Sequence, residues 1–183
     1  MSSATAGPLL ALCVLLAGAG VGKVVRPMAT VRALAAGGLP GSGAAARLLG
    51  VAEITIAVLA AVTGSRSAAL VVAATYLGFA AFTLRLIARS DGQADCGCFG
   101  ADEAAATNGH VALDLGAAAL AGLAAAAPPG SLGTVLAHQP LAGGPFVALV
   151  GLCTWLGYVA YTVLPRLGEA RTAGRDRNAR TAR

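Results

Sequence analysis

Cys96 and Cys98 stand one glycine apart in the acidic stretch DGQADCGCFGADE, residues 91–103. A disulfide across Cys-Gly-Cys closes a very small ring, and Gly97 supplies the backbone freedom that ring needs. Bridges of non-ideal geometry hold strain and are easily reduced. The spacing therefore suits an exchanging site better than a structural staple. The thiolate is the reactive form, and nearby cations favour it. Arg89 and His110 are candidates for that role, while Asp91, Asp95, Asp102 and Glu103 oppose it. Two other readings stay open. Cys96, Cys98 and His110 with an aspartate would make a metal site, but the second cysteine pair of the usual zinc spacings is missing. Alternatively, the segment is a tight loop that packs Phe99 against helix ends.

The rest of the chain says where such a pair sits. Of 183 residues, 57% are apolar and 11% charged, against about 25% charged in soluble domains. A bilayer-crossing helix needs roughly 17–25 mainly apolar residues. Five segments qualify: Leu9–Val25, Leu48–Val62, Ala68–Leu84, Val111–Ala127 and Pro145–Leu164. The second is short and should extend into its loops. The first lacks a positive n-region and reads as an uncleaved anchor. Its Gly18 and Gly22 make a small-xxx-small step of the kind that lets helices approach. Between Pro27 and Pro40, MATVRALAAGG reads as a short interfacial helix. Pro128-Pro129-Gly130 should stop the fourth span and Pro165 the fifth. The Arg-rich tail, residues 166–183, reads as disordered. The expected fold is thus an all-α membrane bundle: a four-helix domain over residues 1–127, a loop and fifth span over 128–165, and the tail.

Charge sets an expected orientation. With five crossings, Lys23, Arg26, Arg32, Arg47, Arg85, Arg89 and the six tail arginines share one face, which is 12 of the 13 basic residues. The positive-inside rule places the tail in the cytoplasm and the N-terminus outside. It places the cysteine loop in the cytoplasm too, although disulfides persist mainly in oxidising compartments. If the alanine-rich fourth segment did not cross, loop and tail would fall on opposite faces. No basic stripe with interleaved aromatics points to nucleic acid.

Ionisable groups inside a membrane are costly and usually pair or serve a function. Lys23 ends the first span. Glu53 lies about five residues into the second, roughly 8 Å deep at 1.5 Å per residue. Asp114 lies near the start of the fourth, where a helix dipole alone would favour it. All three belong to the face that carries the cysteines. Lys23 is the expected partner of Glu53, in an ion pair that orients helices; the alternatives are a role for Glu53 in proton handling or substrate contact, and simple snorkelling to the interface. Cys13 and Cys153 read as buried apolar groups, His138 as a loop residue, and Trp155, Tyr158 and Tyr161 as packing or lipid-interface groups.

The elements GVGKVVRP (20–27), GLP (38–40), Glu53 and CGCFG (96–100), followed by another span, resemble the MauE family, related to the DoxX-type four-helix membrane proteins. The resemblance covers roughly residues 9–127, and the cysteine motif is its most specific part. It implies a membrane protein linked to thiol redox. Founding members support maturation of the disulfide-rich small subunit of methylamine dehydrogenase alongside a thioredoxin-like partner. Many relatives lie outside any methylamine pathway, so that substrate does not carry over. Cys96 and Cys98 match the family cysteines, and Lys23 and Glu53 its polar positions. One departure concerns the fourth helix: relatives often open it with Arg-Asn, where this chain reads HVALDLG (110–116).

Three functions are therefore set against one another. The first is a membrane thiol–disulfide oxidoreductase or maturation factor that exchanges with a thioredoxin-fold partner or a disulfide-containing client, with a quinone as a possible electron acceptor. The second is a non-catalytic scaffold for a partner enzyme, and the third a metal-binding membrane protein.

Overall fold

The structure is a computed structural model that describes residues 3–90, 94, 96–97 and 105–181. Among the described residues seven α-helices follow one another: α1 (Ala6–Val25), α2 (Pro27–Ala36), α3 (Gly43–Thr63), α4 (Arg66–Ser90), α5 (Asn108–Ala126), α6 (Leu132–Ala137) and α7 (Gly144–Thr181). Five are long and apolar enough to cross a membrane: α1, α3, α4, α5 and the Gly144–Val163 part of α7. They coincide with the five expected spans, and the short second one does extend, from Gly43 to Thr63.

Local chemistry explains the boundaries. Ser42 caps α3 by accepting from the Ala45 N–H at 3.1 Å, as an N-cap serine does. Gly64, left-handed at φ 51°, ends the helix. Pro27 opens α2, where its missing N–H costs nothing. Pro165 does not act as the expected stop: α7 runs through it to Thr181, and the tail expected to be disordered is helical there. A proline removes one hydrogen bond of the helix, and the Ala, Arg, Leu and Glu around it are good helix formers.

The core is built from small residues. Buried alanines of α3, α4 and α5 surround Leu9, Leu12 and Leu16 of α1 and Val72 of α4. The most extensive pairings are α1 with α3 and α4 with α5, while α7 flanks α1 and α5 with most side chains turned outward. Large apolar groups such as Val14, Leu48, Leu77, Leu123 and Trp155 are exposed on the bundle's outside. Lipid is the solvent that suits such a surface, and small residues at the contacts are how membrane helices approach one another.

Contacts between spans fix which ends lie together. Thr5 Oγ1 donates to the Ala127 carbonyl at 2.8 Å and Arg66 Nε to the Ala125 carbonyl at 3.1 Å. Arg66, the basic residue apart from the other twelve, thus meets the negative end of the α5 dipole. At the other end α1, α4 and α7 finish, and α3 and α5 begin. The α2 helix and the cysteine segment belong to that end.

Candidate functional site

The site begins at a close crossing of α1 and α3. A Cβ added to Gly20 would lie 2.6 Å from the Gly50 carbonyl oxygen, so only glycine permits this approach. The expected Gly18 step is not the contact, since nothing lies within 4 Å of a Cβ there. Lys23 and Glu53 each follow the crossing by three residues. Because Cα–Cβ bonds tilt toward each helix's own N-terminus, the two side chains of this antiparallel pair lean toward each other. Lys23 Nζ donates to Glu53 Oε2 at 2.9 Å, with both side chains at 5% exposure or less. The expected partnership holds. The Lys23 ammonium also lies 5.4 Å from the centre of the Phe79 ring, within range of a cation–π attraction. Phe79 in turn meets Tyr76 edge-on at 5.9 Å, and the Tyr76 hydroxyl donates to the Leu12 carbonyl at 2.9 Å.

Asp114 comes to the same region from α5. It is buried, and Oδ1 accepts from the Tyr161 hydroxyl of α7 at 2.8 Å. Oδ2 has no hydrogen-bond partner among the described residues, and the same holds for Glu53 Oε1 and Thr83 Oγ1. Buried acceptors without a partner are rare.

The cysteine turn closes this end. Cys96 is buried in a cluster with Ala33, Leu86 and Ala106. Gly97 sits at φ 67°, and a Cβ there would come within 2.9 Å of Ala33 Cβ and 3.0 Å of the Ala29 carbonyl oxygen. The glycine between the cysteines is thus required twice, by backbone conformation and by contact with α2. Thr30 of α2 donates to the Gly97 carbonyl at 3.2 Å, and the Ala106 N–H donates to the Ala94 carbonyl at 2.9 Å. The expected interfacial helix α2 therefore has a buried face that seats the turn. Cys98, with Asp91, Asp95, Asp102 and Glu103, lies outside the described residues.

A cavity of about 360 Å³ joins these parts. Lys23, Thr83, Cys96, Asp114 and Tyr161 line it together with the rings of Phe79 and Phe82. Lys23, Asp114 and Cys96, far apart in sequence, share one chamber. Glu53 stands behind Lys23. Two candidates are occupied elsewhere. His110 completes a capping box at the start of α5, its Nδ1 accepting from the Thr107 N–H at 3.2 Å. Arg89 packs its guanidinium against Gly38, and Arg85 Nε donates to the Gly37 carbonyl at 2.7 Å. These arginines hold the end of α2. Among the described residues no three His, Cys, Asp or Glu side chains gather as metal ligands would.

Sequence reasoning missed Tyr161, Thr83, Thr30, Phe79 and Phe82. Tyr161 read as a packing or lipid-interface residue, and the contact with Asp114 corrects that. Its signal was depth, since it lies near the cysteine-side end of its span, as Asp114 does. Cys13 is buried as expected, whereas Cys153 is exposed on the outer side of α7. His138 is an exposed residue at the end of α6, as read.

Fold and site together define a multi-pass helical membrane protein that gathers intramembrane charges and a cysteine turn at one end of its bundle. The chain belongs to the MauE family: the description "Methylamine utilisation protein MauE" matches residues 1–127. That match ends one residue past α5, so α6 and α7 lie beyond it. Neither the curated proteins nor the solved structures yield a match to the chain.

Proposed function

We propose that this protein is a membrane thiol–disulfide redox protein in which Cys96 and Cys98 cycle between dithiol and disulfide. The observation that carries the reading is the turn itself. A positive-φ glycine holds Cys96 at the wall of a chamber that also contains Lys23. In one half-cycle, a client dithiol attacks the Cys96–Cys98 bond. The client gains a disulfide, and its two electrons and two protons pass to the two cysteines. A thioredoxin-fold protein or a disulfide-containing client is the partner class. Burial of Cys96 makes Cys98 the sulfur that partners attack and Cys96 the resolving sulfur.

Charge favours a cytoplasmic tail and an extracytoplasmic N-terminus, with the cysteine turn on the tail's side. The protein would then draw on cytosolic dithiols rather than exported ones.

Equilibration of the purified full-length protein against graded dithiothreitol and its oxidised form, followed by alkylation, tests the reading. Cys96 and Cys98 should change state together, by two alkyl groups, while the labelling of buried Cys13 and of exposed Cys153 stays constant across the range. Cys96→Ser should accumulate a mixed disulfide through Cys98. A pair that holds one state across the whole range would favour the non-catalytic scaffold.

A further inference from the structure

We propose that the cavity beside Cys96 binds a lipid-soluble, planar two-electron acceptor of the quinone class, which takes the electrons of the cysteine pair. The inference rests on the thiol reading above and adds the acceptor and its binding groups.

The chamber's size comes first. A volume of about 360 Å³ lies within the range of small-molecule sites, roughly 300–1,000 Å³. Its position comes next. The wall runs from buried Cys96 and Asp114 to Leu49 of α3 and Gly78 of α4, both exposed on the outer surface. An occupant dissolved in the bilayer has a lateral route between these helices. The lining is mostly apolar and includes the aromatic rings of Phe79 and Phe82, which suit contact with a flat ring.

The polar groups then select among apolar occupants. An acyl chain would leave Thr83 Oγ1 and Asp114 Oδ2 as they stand, buried without hydrogen-bond partners among the described residues. A quinone uses them in both of its states. Its carbonyl oxygens accept from the Lys23 ammonium and the Thr83 hydroxyl. The quinol's hydroxyls donate to Asp114 Oδ2 and Thr83 Oγ1. Cys96 lines the same chamber, so the reacting sulfur and the acceptor share a wall.

The step balances within the named groups. Two S–H bonds break and one S–S bond forms between Cys96 and Cys98. The two electrons enter the ring, and two protons reach its oxygens to give two O–H bonds. Lys23 and Thr83 position the ring. Asp114 relays one of the two thiol protons to a ring oxygen and then accepts the hydrogen bond of the quinol hydroxyl formed there.

Decylubiquinone added anaerobically to the reduced full-length protein in detergent is the test. One quinol should form per cysteine pair, with the loss of two alkylatable thiols. Thr83→Val should raise the half-saturating decylubiquinone concentration at least threefold without changing the limiting rate. Ala19→Phe, which fills the chamber, should raise it at least tenfold. The Cys96→Ser protein, which cannot turn over, should still bind decylubiquinone saturably in equilibrium dialysis. If the pair titrates with dithiothreitol but decylubiquinone is neither bound nor reduced, the acceptor proposal is overturned and the thiol reading survives. If the pair never changes state yet Cys96→Ser binds decylubiquinone, the thiol reading falls and the binding site stands. Equal half-saturation in wild type, Thr83→Val and Ala19→Phe would put the reduction outside the cavity and overturn the proposal.

Discussion

Lys23 and Glu53 form an ion pair with both side chains buried inside the bundle. Such a pair gains little over apolar residues of the same size, but removing one partner alone leaves a bare buried charge and costs about 3–5 kcal/mol. Glu53→Gln or Lys23→Met should therefore lower the unfolding midpoint in detergent sharply. The double variant should recover most of the loss. A double-mutant cycle by thermal melt checks this, and additive losses would mean that the two groups do not depend on each other. Asp114 is held differently, by one neutral donor from α7. Tyr161→Phe should cost on the order of 0.6 kcal/mol, up to about 1.7, the range of hydrogen bonds between membrane helices. Its larger effect would fall on the chamber, where Asp114 would lose the bond that fixes its rotamer.

At the scale of the element, the decisive contact is a crossing of two backbones. Gly20 and Gly50 let α1 and α3 come close enough for Lys23 to reach Glu53. An added methyl must push the helices apart. Gly20→Ala should destabilise the bundle by about 1–3 kcal/mol, the usual cost of overpacking. Gly18→Ala, beside it in sequence but facing open space, should cost little. Melting both variants in the same detergent separates a specific crossing from a general taste for glycine. The helix α2 is the other positioning element. Arg85 and Arg89 hold its end, Ala29 and Ala33 press on Gly97, and Thr30 ties the Gly97 carbonyl. The cysteine turn takes its shape from a helix some sixty residues earlier in the chain.

Across the whole molecule, the five crossings put the cysteine turn and the tail at the same end of the bundle, with Thr5, Arg66 and Ala127 at the other. A cysteine placed at Arg183, in a background lacking Cys13 and Cys153, should react with a membrane-impermeant reagent from the same side as Cys98. Labelling from opposite sides would mean that one span does not cross. The segment beyond the family match also has a place in the architecture. Tyr161 of α7 reaches back to Asp114 and lines the chamber, so α7 completes a wall that α1–α5 leave to it.

The sequence by itself determined the solvent, the spans and the end at which the chemistry gathers. Length and hydrophobicity decide what crosses a bilayer, and the cost of buried charge makes Lys23, Glu53 and Asp114 conspicuous wherever they fall. Their common end follows from counting crossings, and the Cys-Gly-Cys spacing carries its own chemistry. Tertiary structure alone decided which side chains meet. In so alanine-rich a bundle, every helix is apolar on nearly all sides, so periodicity does not say which face turns inward. Tyr161 against Asp114, Gly20 rather than Gly18 at the crossing, and the chamber itself all depend on that rotation. The reach of α7 past Pro165 escaped the sequence for a related reason: a proline marks a break only where its neighbours have something better than helix to form.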